Sequence, residues 1–302
     1  MTISFRDYLD IKSALDERSL NTQVRTAFLH SLRGREWLAC LDLGVGAGAS
    51  LWRLLNSDLA ADLAITAVDR DPELLQLAFR RTAVLLGARD FDLSMPSPDR
   101  IRARRGNRQI AIDFVSADVK DFNPSGETGH YDVVLAHHLM DLLPPGAMAE
   151  RIALWLRPRG VFYATLNYDR GTALFPAYRD EALEERILAA YDASMEKRQV
   201  WGQSCGGARS GQRLYGALLE NGFEPLAYGS SDWNLTPYRR VYRDRDDLCL
   251  AELLKTIHNE AVNSGEFGDG LLETWYRDRQ LEINCHKLGL IIHQIDLLAQ
   301  KA

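Results

Sequence analysis

The run Asp42-Leu43-Gly44-Val45-Gly46-Ala47-Gly48 places glycines at alternate positions directly after an apolar segment. Glycine lets a backbone turn sharply and approach a ligand closely, because it has no Cβ to clash. Two more acids recur at comparable places: Asp69 closes Ala-Ile-Thr-Ala-Val-Asp, and Asp118 follows Phe-Val-Ser-Ala. A carboxylate at the position of Asp69 suits the hydroxyls of a ribose. The glycines alone leave the ligand open, since Gly44, Gly46 and Ala49 also satisfy the dinucleotide fingerprint G-x-G-x-x-G/A. Further along, His137-His138 and Asn167-Tyr168-Asp169 each follow another apolar segment. An unperturbed imidazole titrates near about pH 6.5, so either histidine can take a proton from a hydroxyl or ammonium group. The Asn-Tyr-Asp trio can hydrogen-bond a substrate or simply make a turn.

These residues need elements that bring them to one edge. Short apolar runs at Leu38–Leu43, Ala64–Val68, Ile110–Val115, Tyr131–Ala136, Gly160–Leu166 and Phe223–Tyr228 read as strands. Several are apolar almost throughout, as parallel strands covered on both faces are. Helical periodicity fills the intervals at Ala49–Ser57, Pro72–Leu86, Pro145–Leu156, Glu181–Lys197 and Gly211–Asn221, with Pro72 and Pro145 at tolerated first-turn positions. Strand and helix in repeated alternation predict an α/β fold, a doubly wound parallel sheet. In such sheets ligands bind beyond the carboxyl ends of the strands, where all the residues above fall.

Two regions break the rhythm. Residues 87–109, with Arg100, Arg102, Arg104, Arg105 and Arg108, read as an exposed, solvated insertion before the third strand. Residues 170–210 hold a helix and the segment Gly202-Gln203-Ser204-Cys205-Gly206-Gly207 where a short connection would suffice. Near the end, Asp246–Ser264 and Leu271–Cys285 read as helices, and Leu288–Leu297 as a final strand returning to the sheet.

A chain of 302 residues with 46% hydrophobic and 26% charged residues fits one soluble α/β domain with insertions. The net charge of -6 argues against a general binder of nucleic acid or anionic membrane. No apolar run approaches the roughly 20 residues needed to span a bilayer. The N-terminus lacks the apolar core of a signal peptide. Cys40, Cys205, Cys249 and Cys285 are scattered, suggesting neither disulfides nor a metal site, and a cytoplasmic setting is expected.

In their order and spacing, DLGVGAGA, AVDRD, FVSADV and YDVVLAHHLMDLLPP resemble the successive motifs of class I S-adenosylmethionine-dependent methyltransferases. The resemblance covers roughly residues 35–166. It implies S-adenosyl-L-methionine as cofactor, with Gly44, Gly46 and Gly48 beneath its methionine and ribose portions. Asp42 would orient its amino group, directly or through water. Asp69, with Arg70 beside it, would bond the ribose hydroxyls. Asp118 and the Val119 amide would read the adenine edge, and Ala136 would border the site. The family fold implies a seven-stranded sheet with its last strand antiparallel, a role LGLIIHQIDL would fill. Residues 1–34 would form an N-terminal helical cap and 35–302 the catalytic domain, with insertions at 87–109, 170–210 and 238–286, and the helical additions within 170–285 would form a lid. Such a cap shapes the substrate pocket in many of these enzymes, and here Tyr8 and Arg18 are the residues to watch.

Methyl transfer from a sulfonium is a direct displacement that needs alignment and exclusion of water, and a base only when the nucleophile carries a proton. His137 or His138 is the candidate base, and Asn167, Tyr168, Asp169 and Trp233 are candidate substrate contacts. The expected substrate is a small molecule. An oxidoreductase using a dinucleotide would leave Asp118 unexplained. A catalytically silent binding protein would not need all three acids. A nucleic-acid base methyltransferase would usually show Asn/Asp-Pro-Pro-aromatic where this chain reads His137-His138-Leu139-Met140.

Overall fold

The computed structural model describes residues 5–57, 59–124 and 129–302. Two helices lead, α1 (Phe5–Ser19) and α2 (Thr22–Ser31), followed by β1 (Trp37–Leu43), α3 (Ala49–Leu55), β2 (Asp62–Asp69) and α4 (Pro72–Gly87). Then come β3 (Asp92–Ser97), β4 (Arg100–Arg105), β5 (Arg108–Ser116), β6 (Tyr131–His137), α5 (Pro145–Trp155) and β7 (Leu156–Tyr168). The second half holds β8 (Ala173–Phe175), α6 (Glu181–Glu196), β9 (Gln199–Val200), β10 (Gln203–Ser204), α7 (Ser210–Glu220), β11 (Phe223–Ser230) and β12 (Trp233–Leu235). It closes with α8 (Asp246–Ser264), α9 (Asp269–Asn284), β13 (Gly289–Ile292) and β14 (Gln294–Lys301).

The main sheet has nine strands in the order β11-β14-β7-β6-β1-β2-β5-β4-β3. The centre, β7-β6-β1-β2-β5, is parallel, and β14 enters antiparallel between β7 and β11. Residues 38–43 of β1 and 131–136 of β6 are buried, as both-face coverage requires. One face packs against α2, α3 and α4 and the other against α5 and α7. Caps fix where helices start: Asp71 accepts from the Glu73 and Leu74 amides at the head of α4, and Asp180 from the Leu183 amide at α6.

Three expectations need correction. Residues 87–109 are not a solvated loop: β3 and β4 form a hairpin that extends the sheet antiparallel to β5, so nine strands replace the expected seven. Ile101 and Ala103 point into the core while Arg100 and Arg102 pair with Asp113, the alternation a half-buried strand shows. The run Leu288–Leu297 is not one strand either. It breaks at His293, whose carbonyl accepts from the Asp169 amide, so β13 leaves the main sheet and β14 alone returns to it. The segment 170–210 holds β8 and a β9–β10 hairpin besides α6.

β8, β12 and β13 form a separate three-stranded sheet. With α1, α6, α8 and α9 they build a second apolar core beside the carboxyl ends of β6 and β7, including Leu15, Ile187, Leu254, Trp275 and Leu290. Inside it the fully buried Arg279 binds Glu184 through Nε and Nη2, and Trp275 donates to the same carboxylate at 2.9 Å. A buried charge is tolerable only when paired this fully. Among the described residues no helix is long and apolar enough to cross a membrane.

Candidate functional site

At the end of β1 the chain turns through Gly44, Gly46 and Gly48, all with positive φ. A side chain at Gly44 would press Leu139 at 3.0 Å, whereas at Gly46 the nearest atom would be the Gly44 carbonyl at 3.9 Å. The outer side of Gly46 is therefore open space. The turn is pinned to β2: Val45 donates to the Val68 carbonyl at 3.1 Å, and Gly46 to Asp69 Oδ2 at 2.7 Å. Asp69 Oδ1 accepts from the Asp71 amide at 2.9 Å. Each carboxylate oxygen carries a further lone pair, so this acid holds the loop and keeps acceptor capacity outward.

Asp42 is fully buried. Its Oδ2 accepts from the Ser50 hydroxyl at 2.6 Å, and its Oδ1 has no partner. Burial pushes its carboxyl up to about 7, against the Ser50 bond and the Arg53 charge. An orphaned buried carboxylate oxygen calls for a donor. Asp118, after β5, accepts from the Lys120 amide at 2.8 Å and begins the turn that carries the buried Val119. Arg70 is exposed and Ala136 buried. The acids thus sit at the carboxyl ends of three adjacent strands, β1, β2 and β5.

A second cluster lies at the ends of β6 and β7. Its centre is Asp16 of α1, 3% exposed. Asp16 Oδ1 accepts from Trp233 Nε1 at 3.1 Å and faces His138 Nε2 at 3.0 Å. Its Oδ2 accepts from Lys12 Nζ at 2.6 Å and faces His137 Nε2 at 3.4 Å. The His138 ring lies 5.2 Å from the Trp233 ring, and Lys12 sits 5.1 Å over that same indole. His137 is hemmed in: Arg53 approaches both ring nitrogens, at 3.1 and 3.0 Å, and Thr165 Oγ1 lies 2.7 Å from Nδ1.

Burial, then the Lys12 charge, lowers the His138 pKa, while burial and Arg53 hold His137 well below the usual range. Both shifts favour the neutral rings. Burial works to raise Asp16, but Lys12 and the histidines outweigh it and hold the carboxyl well below its ordinary value. Asp141 is pushed the other way by burial, and its Oδ1 has no partner. Ligand atoms of Asp16, His137 and His138 lie within 4.8 Å of one another, a metal-like grouping. Lys12 and Arg53 already place two cations against it, so the arrangement is satisfied as a hydrogen-bonded cluster.

Of the sequence candidates, the structure gathers His137, His138 and Trp233. Arg18 lies one helical step away but turns to α8, pairing with Asp246 and, at 3.6 Å, Asp244. Tyr8 is partly buried, with its phenol raised by burial and by nearby Cys249 and Asp16. Asn167 donates to the Ile295 carbonyl at 2.9 Å and leaves Oδ1 unpartnered. Tyr168 bonds Asp192 at 2.6 Å, and Asp169 accepts twice from Gln212. These three join β7 to β14, α6 and α7. Sequence reasoning missed Lys12, Asp16, Arg53 and Asp141. The available signal was that Tyr8, Lys12 and Asp16 share one face of α1 at i, i+4 spacing.

The sequence matches no family profile, and no curated protein is significantly similar to it in sequence. In fold it is similar to a candidate methyltransferase from Bacillus halodurans, at 12% identity and TM-score 0.51, over 93% of this chain and 99% of that one. A candidate sarcosine dimethylglycine methyltransferase from Galdieria sulphuraria shows 14% identity and TM-score 0.46, over 93% of this chain and 84% of the other. A geranyl diphosphate methyltransferase, in complex with S-adenosylmethionine, shows 10% identity and TM-score 0.45, over 93% and 84%. The chain has the class I methyltransferase fold.

Proposed function

We propose that this chain transfers a methyl group from S-adenosylmethionine to a small-molecule acceptor held at the ends of β6 and β7. The observation that carries the reading is the glycine turn with Asp42, Asp69 and Asp118 at the ends of β1, β2 and β5 of this fold. The residues fit such a group on two counts. Asp42 Oδ1 lacks a donor that an ammonium would supply, and the open side of Gly46 leaves room for a ligand against the backbone. Asp69 would take the ribose hydroxyls beside exposed Arg70, and Asp118 with Val119 the adenine. When bound, the cofactor supplies an activated methyl for direct displacement.

The protein's part is to align the acceptor, exclude water and take its proton. In this reading the second core, with α1 across the strand ends, is the lid. Of the two histidines, His138 is the base, because Arg53 and Thr165 enclose His137. A cytoplasmic setting and a small acceptor complete the proposal.

Calorimetry with S-adenosylmethionine, S-adenosylhomocysteine, NADH and NADPH tests it. Binding of the first two and not the nicotinamides is expected. The reverse preference makes the chain a dinucleotide oxidoreductase and overturns the proposal.

A further inference from the structure

We infer that Asp16 is the positioning residue of the site: it fixes His138 as the Nε2–H imidazole and leaves the Nδ1 lone pair to receive the acceptor's proton. The inference rests on the methyltransferase reading for its chemical purpose, but not for its geometry.

Asp16 faces two groups that can only donate, the Trp233 indole N–H at 3.1 Å and the Lys12 ammonium at 2.6 Å. Its carboxylate is therefore acceptor-only, and a ring nitrogen 3.0 Å from Oδ1 must bring its own hydrogen. That nitrogen is His138 Nε2. A neutral imidazole has one N–H, so Nδ1 is left as an acceptor. The backbone supports the assignment. His138 has φ +49, a region disfavoured for residues with a Cβ, and its amide is held by the Thr165 carbonyl at 3.1 Å. This left-handed step turns two successive histidines toward one carboxylate. Strain of this kind persists where surrounding contacts over-determine it, and such places cluster at functional sites.

The two rings then have different fates. His137 meets Arg53 at both nitrogens and is flanked by Thr165 at Nδ1 and, at 3.4 Å, by Asp16 at Nε2, whereas the His138 ring meets Asp16 at Nε2. The proton balance follows. The acceptor's proton moves to His138 Nδ1, giving an imidazolium that Asp16 stabilises. With the cofactor bound, the electron pair left on the acceptor would form the bond to the methyl carbon, and the pair of the broken C–S bond would stay on sulfur. The charged and titratable groups around His138 are Lys12, Asp16, His137 and Asp141.

Nitrogen-15 spectra of histidine-labelled full-length protein test this without any acceptor, with His138→Gln assigning the resonance. The expected wild-type result at pH 7 is a protonated Nε2 and a bare Nδ1. Asp16→Leu, which leaves no acceptor, should release the tautomer, and Asp16→Asn should make the ring titrate at lower pH, since the carboxylate no longer supports the charged form. Lys12→Met should keep the tautomer and move the titration up, because a repelling cation is gone. A carboxylate that only braced the fold would leave the His138 tautomer unchanged when it is removed. If the Asp16 variants do not fold, Lys12→Met and the wild-type tautomer decide alone. A wild-type Nδ1–H tautomer, or Asp16→Leu retaining the Nε2–H form, overturns the assignment. So does one equivalent of Zn²⁺ shifting both rings, which would make the cluster an ion site. Failure of S-adenosylmethionine to bind removes the function while leaving the tautomer result intact.

Discussion

The ends of β1, β2 and β5 and the ends of β6 and β7 carry two polar sites built on opposite plans. In the first, the acids are anchored by the strand-end turns themselves: Asp69 by Asp71 and the glycine loop, Asp118 by Lys120, Asp42 by Ser50. Backbone amides do most of the work. In the second, one carboxylate from α1 gathers side chains from positions 12, 137, 138 and 233, and hardly any backbone is involved. The first plan suits a ligand whose recognition needs fixed amides and a close backbone. The second suits a group whose proton must move, because side chains in low dielectric tune one another. Helix α3 joins the two, since Ser50 bonds Asp42 and, one turn later, Arg53 bonds His137.

The largest expected effect separates the two sites by kind. His138→Gln should lower single-turnover methyl transfer by about 100- to 10,000-fold, the usual share of general-base catalysis, with cofactor affinity nearly unchanged. His137→Gln should cost mainly thermal stability, because it removes a partner of Arg53 and Thr165. Equal losses of turnover from both variants would break the division between a reactive and a structural ring.

On the other site, Asp69→Ala should weaken S-adenosylmethionine binding by roughly 2–4 kcal/mol, two charge-assisted bonds at about 1.5–3 each before water compensates. The same substitution frees the Gly46 and Asp71 amides, so part of the loss is loop order. Titration calorimetry that finds wild-type affinity would remove Asp69 from the cofactor site.

A subtler effect follows from Asp42. Its carboxyl, raised by burial to about 7, holds its proton more tightly folded than unfolded. The stability this gives is complete at acid pH and is lost as pH rises toward and through about 7. A cofactor ammonium needs the ionised form. Affinity should therefore climb about tenfold per pH unit below that value and flatten above it, with proton release on binding. Asp42→Asn should abolish the slope. A flat profile in the wild type would mean that Asp42 meets no cation.

The same contrast explains what could be read in advance. The glycine turn and the acids at the ends of β1, β2 and β5 are legible because their signals are local, each within one short motif. The central strands are legible because burial on both faces writes continuous apolar runs. The hairpin at 92–105 is concealed by its arginines, although Arg-Ile-Arg-Ala-Arg alternates as a strand must. The break at His293 is concealed because one polar step inside LGLIIHQIDL does not outweigh the β-branched residues around it. Asp16 is illegible for a different reason. Nothing within α1 says that its acid will be buried among residues more than 120 positions away, and only the fold supplies those partners.

Trp233→Phe probes that dependence with the smallest change. Phenylalanine keeps a ring against His138 and under Lys12, and removes only the N–H that Asp16 accepts. A hydrogen bond to a charged group is worth about 1.5–3 kcal/mol, but Asp16 retains Lys12 and His138 as partners. The loss should therefore fall below that range, at about 1 kcal/mol. At this chain length that is a drop of roughly 2 °C in midpoint temperature. Calorimetric affinity for S-adenosylmethionine should not move, because no cofactor-side acid touches the indole. Asp16 binds a little less donor density, so it should support the His138 imidazolium slightly better and raise that ring's titration. A variant with unchanged stability but weakened cofactor binding would place Trp233 on the cofactor side, and the two sites would then be one.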